Sequence, residues 1–427
     1  MTWIGLALLF LLLLTGIPVA FALGLSGVVG LYLVAGLDGL LGVLQSTPIS
    51  AVASYELITI PMFLFMAQLV MVSGVGDDLF RAAAAWVGRF PGGLGVATAL
   101  AGAGFGAICG TSTAAAATLS TTSLPAMIRH GYEPQLAAGV VAISGTLAML
   151  IPPSVILIIY GLLADVNVGA LLIGGVIPGL IVTIAIALTV VLLAVRHPER
   201  APRGPRIPRG EKIALLRVVG PVIVLMMMVT GVIYTGVATP TEASAVGAAG
   251  ACAIALWRRR LDRASLMRAA REAVHATCMI AAIVMCASIF GFYFTLTGLT
   301  QDVVTWVANL EVSRWVVMTL LLGLYIVLGC FLDQIAILVL TIPVVTPVVA
   351  ALGFDPVWFG VMVVLTAEVG MITPPLGLNC FVVARAAGRP VGEVFAGVFP
   401  HFWAHLLVIG LLMAFPALIT WLPSRMS

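Results

Sequence analysis

Residues 125–153 read PAMIRHGYEPQLAAGVVAISGTLAMLIPP, and residues 347–375 read PVVAALGFDPVWFGVMVVLTAEVGMITPP. Pro125, Gly131, Pro134, Met149, Pro152 and Pro153 recur as Pro347, Gly353, Pro356, Met371, Pro374 and Pro375, each pair 222 positions apart without a gap. Tyr132-Glu133 and Phe354-Asp355 are conservative matches at the same offset. Tandem prolines remove two backbone donors and leave upstream carbonyls unpaired. At membrane depth such carbonyls are tolerated only where they pack in protein or line a cavity. Two such breaks in register, inside apolar segments, point to a secondary transporter built from two repeats.

Composition agrees with a membrane chain. Of 427 residues, 62% are hydrophobic and only 9% charged, against about a quarter charged in soluble domains. Hydrophobic segments fall at 2–22, 25–46, 54–75, 93–128, 132–164, 168–195, 218–237, 240–257, 275–297, 316–350, 357–386 and 391–422. A single crossing needs roughly 20 residues. The net charge of +3 is small, and the arginines sit in short loops beside apolar segments, so a nucleic-acid role gets no support. The six cysteines form no CxxC pair and the five histidines no HExxH, which favours packed thiols over disulfides or a metal centre. The N-terminus imitates a secretory signal, but no Lys or Arg precedes Arg81. It is read as a retained first membrane segment.

Three stretches, 76–92, 258–274 and 300–315, are amphipathic or basic and are expected as helices lying in the interface, with plain loops as the competing reading. The linker RHPERAPRGPRIPRGEK, 196–212, separates the halves and should be cytoplasmic, as should Arg258, Arg259, Arg260, Arg263 and Arg268. Traced back from the linker, 93–128 enters and leaves on one side as a re-entrant hairpin. Arg81, Arg89, Arg129 and His130 then fall in the cytoplasm, and the N-terminus lies outside. Each half makes about five crossings, with 316–350 as the second hairpin. An odd number per half makes the repeats inverted, so the second hairpin opens from the other face.

The hairpin tips and the Pro-Pro breaks are expected to meet near the midplane. The first tip is CGTSTAAAAT, 109–118, where Gly110 lets the backbone turn and Thr111, Ser112 and Thr113 offer hydroxyls. Oxygen ligands with few full charges suit Na⁺ better than a transition metal, although small residues also serve helix packing. Around the first break, Gly145, Thr146 and Ser154 are the flexible or polar members; around the second they are Gly370, Thr373, Gly377 and Asn379. Asp333 and Gln334 align with Thr111 and Ser112 at the offset of 222. An intramembrane aspartate is a site candidate by default, and the alternative is an acid capping a helix N-terminus. Glu368 is also intramembrane, and ranks lower because an Arg or Lys could pair with it structurally. Glu242, in Thr239-Pro240-Thr241-Glu242, is read as structural, capping the helix that follows.

These residues resemble the large membrane subunit, DctM-like, of tripartite ATP-independent periplasmic (TRAP) transporters. The resemblance spans nearly the whole chain. It is carried by GTSTAAAAT at 110–118, P-x-M-x₃-GYE at 125–133, IPPSVILIIYG at 151–161, ATPTEASA at 238–245, FLDQ at 331–334 and EVGMITPPLGLNCFVV at 368–383. It implies an all-α elevator-type fold in the bacterial inner membrane, with both termini periplasmic. Residues 1–195 would form the first inverted repeat (scaffold 1–92, transport elements 93–195), and 196–217 the linker. The second repeat would be 218–427 (scaffold 218–315, transport elements 316–390, final helix 391–427). It further implies Na⁺-driven import of a small carboxylate, a C4-dicarboxylate or sugar acid. A periplasmic binding protein (DctP-like) would deliver it, and a small membrane subunit (DctQ-like) would be a separate chain. Carried over residue by residue, Gly110, Ser112, Gly145, Ile151, Asp333, Gly370 and Thr373 are Na⁺ candidates, while Thr111, Thr113, Ser154 and Asn379 are substrate candidates. No nucleotide-binding loop or catalytic motif is found, which favours an ion gradient over ATP and a carrier over an enzyme. A self-sufficient carrier without a binding protein stays open as the alternative.

Overall fold

The computed structural model describes residues 2–426. Among them every regular element is helical. Helix α1 spans Thr2–Leu14 and α2 spans Val19–Val52, with a kink at Gly36. The expected segments 2–22 and 25–46 therefore shift: the break falls at Thr15–Pro18, because Gly16 takes φ +79° and Pro18 cannot continue a helix. Ala22 and Leu23, at the expected boundary, lie buried inside α2. A short turn at Tyr55–Ile58 leads into α3, Thr59–Val72. Helix α4, Val75–Val87, buries Leu79 and Phe80 and leaves Trp86 exposed, the amphipathic helix that 76–92 predicted.

Next come α5, Gly93–Cys109, and α6, Ser112–Arg129, joined by a two-residue tip. Gly110 turns that tip with φ +61°, a conformation that costs a side-chain-bearing residue roughly 1 kcal/mol or more. Helix α7, Pro134–Thr146, tightens into a 3₁₀ turn at Leu147–Met149 and then breaks. The chain resumes as α8, Val155–Ala164, followed by α9, Val168–Gly174, and α10, Val176–Arg196.

The loop between the halves is shorter than expected. Helix α11, Arg209–Tyr234, starts directly after Pro208, with Glu211 in its first turn, so 209–217 is helix rather than linker. Helix α12, Pro240–Trp257, opens on a capping box in which Thr239 and Glu242 bond each other's backbone, the cap expected from sequence. Residues 258–274 are no separate interfacial element. Asp262 caps α13, which runs unbroken from Arg263 to Thr297 and buries Ala269 and Ala273 in the same packed face that continues to Phe294. The stretch 300–315 also divides. Helix α14 covers Leu299–Ala308, whereas Arg314 and Trp315 begin α15, Arg314–Gly329, under a Ser313 cap. The Arg314 guanidinium lies over the Phe354 ring, 5.2 Å from its centre.

A second helix–tip–helix unit pairs α15 with α16, Gln334–Ala351. Helix α17, Pro356–Gly370, then breaks before α18, Leu378–Ala387. Helix α19, Val391–Ala414, the single turn α20, Ala417–Thr420, and a 3₁₀ turn at Pro423–Arg425 complete the described fold. Both Pro-Pro bonds, 152–153 and 374–375, are cis.

Seven described helices are long and apolar enough to cross a bilayer, so the chain is a multi-pass membrane protein. The helices of both breaks are individually too short. Helix α13 packs along α2, α12 along α3, and α19 along α7. The last pair meets backbone to backbone: a carbon placed on Gly139 would stand 2.1 Å from the Gly397 carbonyl carbon. Any side chain there forces the two helices apart.

Candidate functional site

The first tip is built by local backbone. Thr111 adopts extended geometry as the N-cap of α6 without a capping side-chain bond, which delivers Ser112 to the first helical position. Ser112 is wholly buried, and its hydroxyl donates to Asn379 Oδ1 at 3.3 Å, across 267 residues of sequence. The flanking hydroxyls of Thr111 and Thr113 are half-buried. Helix α7 lies directly on this turn: a carbon on Gly145 would stand 3.0 Å from the Ser112 carbonyl oxygen.

The first break closes on itself. Ser154 is fully buried; its hydroxyl accepts from Leu157 N at 3.3 Å and donates to the Met149 carbonyl. Both ends of the interrupted helix are thus held by one side chain, and Ser154 has no hydroxyl proton left for a ligand. Ile151 is half-buried and packs against Gly179 of α10.

The second tip differs. Asp333 is exposed and caps α16, its Oδ1 accepting from Ala336 N at 2.9 Å, the capping geometry left open by the sequence. Its neighbour Gln334 is buried, donates to Val364 O at 2.9 Å, and keeps its own carbonyl oxygen unpartnered. At the second break the Thr373 hydroxyl donates to Val369 O at 2.6 Å. Gly370 is pressed against the second hairpin, where an added carbon would meet Ile326 O at 2.3 Å. Asn379 is buried; its backbone N–H closes the break on Met371 O at 3.1 Å, leaving the side chain to reach Ser112.

Glu368, which the sequence placed below the other candidates, has surroundings that the sequence did not reveal. Glu368, on the last turn of α17, is 2% exposed, and neither carboxylate oxygen has a hydrogen-bond partner. No ion pair among the described residues includes it, so the alternative of a structural Arg or Lys partner is not what the fold supplies. The side chain it faces is Ser112. Ser112, Asn379 and Glu368 therefore come together from α6, α18 and α17. Asp333, Thr373 and Ser154 bond within their own elements instead. The signal for Glu368 was present, as an acid three residues before the Met-Ile-Thr-Pro-Pro run.

Apolar cavities flank both breaks. One of about 420 Å³ borders Ile151 and Pro152, and one of about 310 Å³ borders Ile372, Thr373 and Pro374. A more polar cleft of about 530 Å³ lies between α2, α8 and α13, lined by Glu56, Asp165, Asn167 and Ser288 with no basic side chain. Among the described residues no three His, Cys, Asp or Glu side chains cluster as a metal site would require.

Comparison with known proteins fits this architecture. The chain is similar, at 33% identity over 87% of its length and 85% of the relative's, to the C4-dicarboxylate TRAP transporter large permease protein DctM of Pseudomonas aeruginosa. It is 29% identical, over 99% of its length and 96% of the relative's, to the sialic acid TRAP transporter large permease protein SiaM of Vibrio cholerae. These relatives are transporter permeases, not enzymes. The crystal structure of the Alcanivorax borkumensis YdaH transporter shares the fold, with a TM-score of 0.64 at 15% identity, over 89% of this chain and 88% of that one. The family described as tripartite ATP-independent periplasmic transporter, DctM component, matches residues 6–418, and the chain belongs to it.

Proposed function

We propose that this chain is the translocating subunit of a Na⁺-coupled importer of small carboxylates in the bacterial inner membrane. One observation supports the reading above others: the first hairpin tip and the second break meet through buried polar side chains, Ser112 and Asn379. Such a junction, inside an apolar protein, is where an ion and an anionic substrate find oxygen and amide groups together. Residues 1–195 and 218–427 are read as inverted repeats, each placing a hairpin against a broken helix from opposite faces. Elements 93–195 and 316–390 then slide as one transport body against a scaffold, exposing the junction to either side in turn. Both termini are read as periplasmic and the loop at 197–208 as cytoplasmic, following the arginines in and beside it.

The substrates named for the two relatives, a C4-dicarboxylate and sialic acid, share a carboxylate. Thr111 and Thr113 hydroxyls and the Asn379 amide are the donors assigned to it. The family's tripartite description supports a periplasmic binding protein that presents the substrate and a small membrane subunit that completes the complex. The test is uptake of candidate carboxylates into proteoliposomes containing this chain and its small partner. Each assay runs with and without an inward Na⁺ gradient and a soluble binding protein. Uptake needing both is expected. Uptake needing Na⁺ alone indicates a self-sufficient carrier, and flux independent of any gradient overturns the symport reading.

A further inference from the structure

A buried carboxylate without a partner is a rare and costly feature. Native proteins leave only a few buried polar atoms unsatisfied per hundred residues. An uncompensated buried charge costs several kcal/mol, roughly 3–5 when a partner is lost. Glu368 presents two such atoms at once, on a side chain that is 2% exposed and belongs to no ion pair among the described residues. The four ion pairs among the described residues join His197 to Glu199, Arg200 to Glu133, Arg258 to Asp78 and Arg389 to Glu393, all away from this carboxylate.

We propose that Glu368 supplies the negative charge that holds the coupling cation, at the junction of the first hairpin tip and the second break. The donor chemistry fits: Glu368 brings carboxylate oxygens, Ser112 a hydroxyl and Asn379 an amide oxygen, from three different elements. An all-oxygen set suits a hard cation rather than a transition metal. One carboxylate balances one monovalent ion, whereas a divalent ion leaves a net charge buried. The sequence offered Asp333 as the charged member, but that carboxylate is exposed and already caps a helix. Because its three oxygen sources lie on α6, α17 and α18, the ion ties the first hairpin to the second broken helix. Its binding energy is then available to close the tip over substrate. This inference rests on the reading of the chain as an ion-driven carrier.

The test reads ion binding apart from transport. The full chain, purified with its small membrane partner, is heated in NaCl or KCl at matched ionic strength, and binding of radiolabelled sodium is measured on the same sample. Wild type is expected to show a saturable, Na⁺-specific rise in unfolding temperature. Glu368→Gln is expected to need at least about tenfold more Na⁺ for the same rise, about 1.4 kcal/mol of lost affinity. Its unfolding temperature in KCl should equal or exceed wild type, since the amide removes a buried charge. A Glu368→Gln protein with the wild-type Na⁺ response overturns the assignment. If that variant is not recovered folded, Glu368→Asp decides, because it keeps the charge but withdraws it by one methylene. A weakened Na⁺ response supports the proposal and an unchanged one overturns it. Stabilisation by acid alone, lost in Glu368→Gln, assigns the carboxyl to a proton and also overturns it. Uptake that ignores Na⁺ while the thermal response persists would instead sink the symport reading and leave this site standing.

Discussion

The two broken helices share a Pro-Pro pair and a sequence register, yet they satisfy their backbones differently. Pro152, Pro153 and Ser154 are buried, and Ser154 alone ties Met149 to Leu157. Pro374, Pro375 and Leu376 are exposed, and the second break relies on Asn379, whose backbone holds Met371 while its side chain leaves for the first tip. At the offset of 222, Asn379 corresponds to Leu157 and Glu368 to Thr146, whose hydroxyl is spent on Ile143 O. The first break is thus a closed local structure, and the second is open towards its neighbour. Around the tips and breaks themselves, the unpartnered buried side-chain atoms belong to the second half: both oxygens of Glu368, the Asn379 amide nitrogen and the Gln334 carbonyl. Two units of similar sequence thus differ in how they end: the first break is held by its own Ser154, and the second shares its polar side chains with Ser112 of the first tip.

That contrast can be broken most sharply by making the halves alike. Asn379→Leu, which copies the first-half residue, should reduce Na⁺-dependent uptake at least about tenfold, the scale of one lost buried hydrogen bond to a ligand. Membrane insertion should survive, and wild-type uptake in this variant would mean the cross-connection is mere packing. Ser112→Ala attacks the same bond from the other end and should produce a similar loss. Combining the two should cost little more than either alone, as expected for partners in one interaction. Ser154→Ala should behave oppositely, lowering thermal stability by about 1–2 kcal/mol through the lost cap while substrate affinity changes little. A variant with unchanged stability would contradict the view of the first break as self-held.

Asp333 sharpens the comparison further. Asp333→Asn keeps a capping oxygen without charge and should retain uptake within about twofold, whereas Asp333→Ala should cost about 1 kcal/mol of stability. A large loss in the asparagine variant alone would return the coupling charge to Asp333. The smallest effect concerns Glu242, fully exposed, whose carboxyl is held below the usual carboxylate range by the Thr239 backbone N–H and then its hydroxyl. A lowered folded value means that its contribution is complete above the ordinary carboxylate range and disappears as pH falls through the lowered one. Amide protection at the start of α12, relative to the intrinsic exchange rate at each pH, should therefore be unchanged between neutral and mildly acidic pH, and should fall in Glu242→Ala.

Much of the architecture was legible because it is encoded locally. Gly110, Pro134, Pro356 and the two Pro-Pro pairs constrain φ and remove donors wherever they occur, so tips and breaks fell where sequence placed them. Boundaries failed where a competing local signal was overlooked. Gly16 and Pro18 end α1 early, while the Asp262 cap with a continuous packed face carries α13 through a basic stretch that resembled a separate helix. The basic residues there do not interrupt helix propensity, and charge alone is no terminator.

By itself the amino-acid sequence determined that this chain crosses a membrane many times, that two helical hairpins precede two proline-broken helices, and that Ser112, Asp333 and Asn379 stand beside them. Those are consequences of apolar run length and of backbone geometry within a few residues. Only the tertiary structure decided which polar side chains meet. Ser112 reaches Asn379 across 267 residues, Asp333 turns back to cap its own helix, and Glu368 is left unpaired. Hydrophobic periodicity specifies which face of a helix is buried, but not which partner waits there, and the free energy of a buried carboxylate depends on that partner.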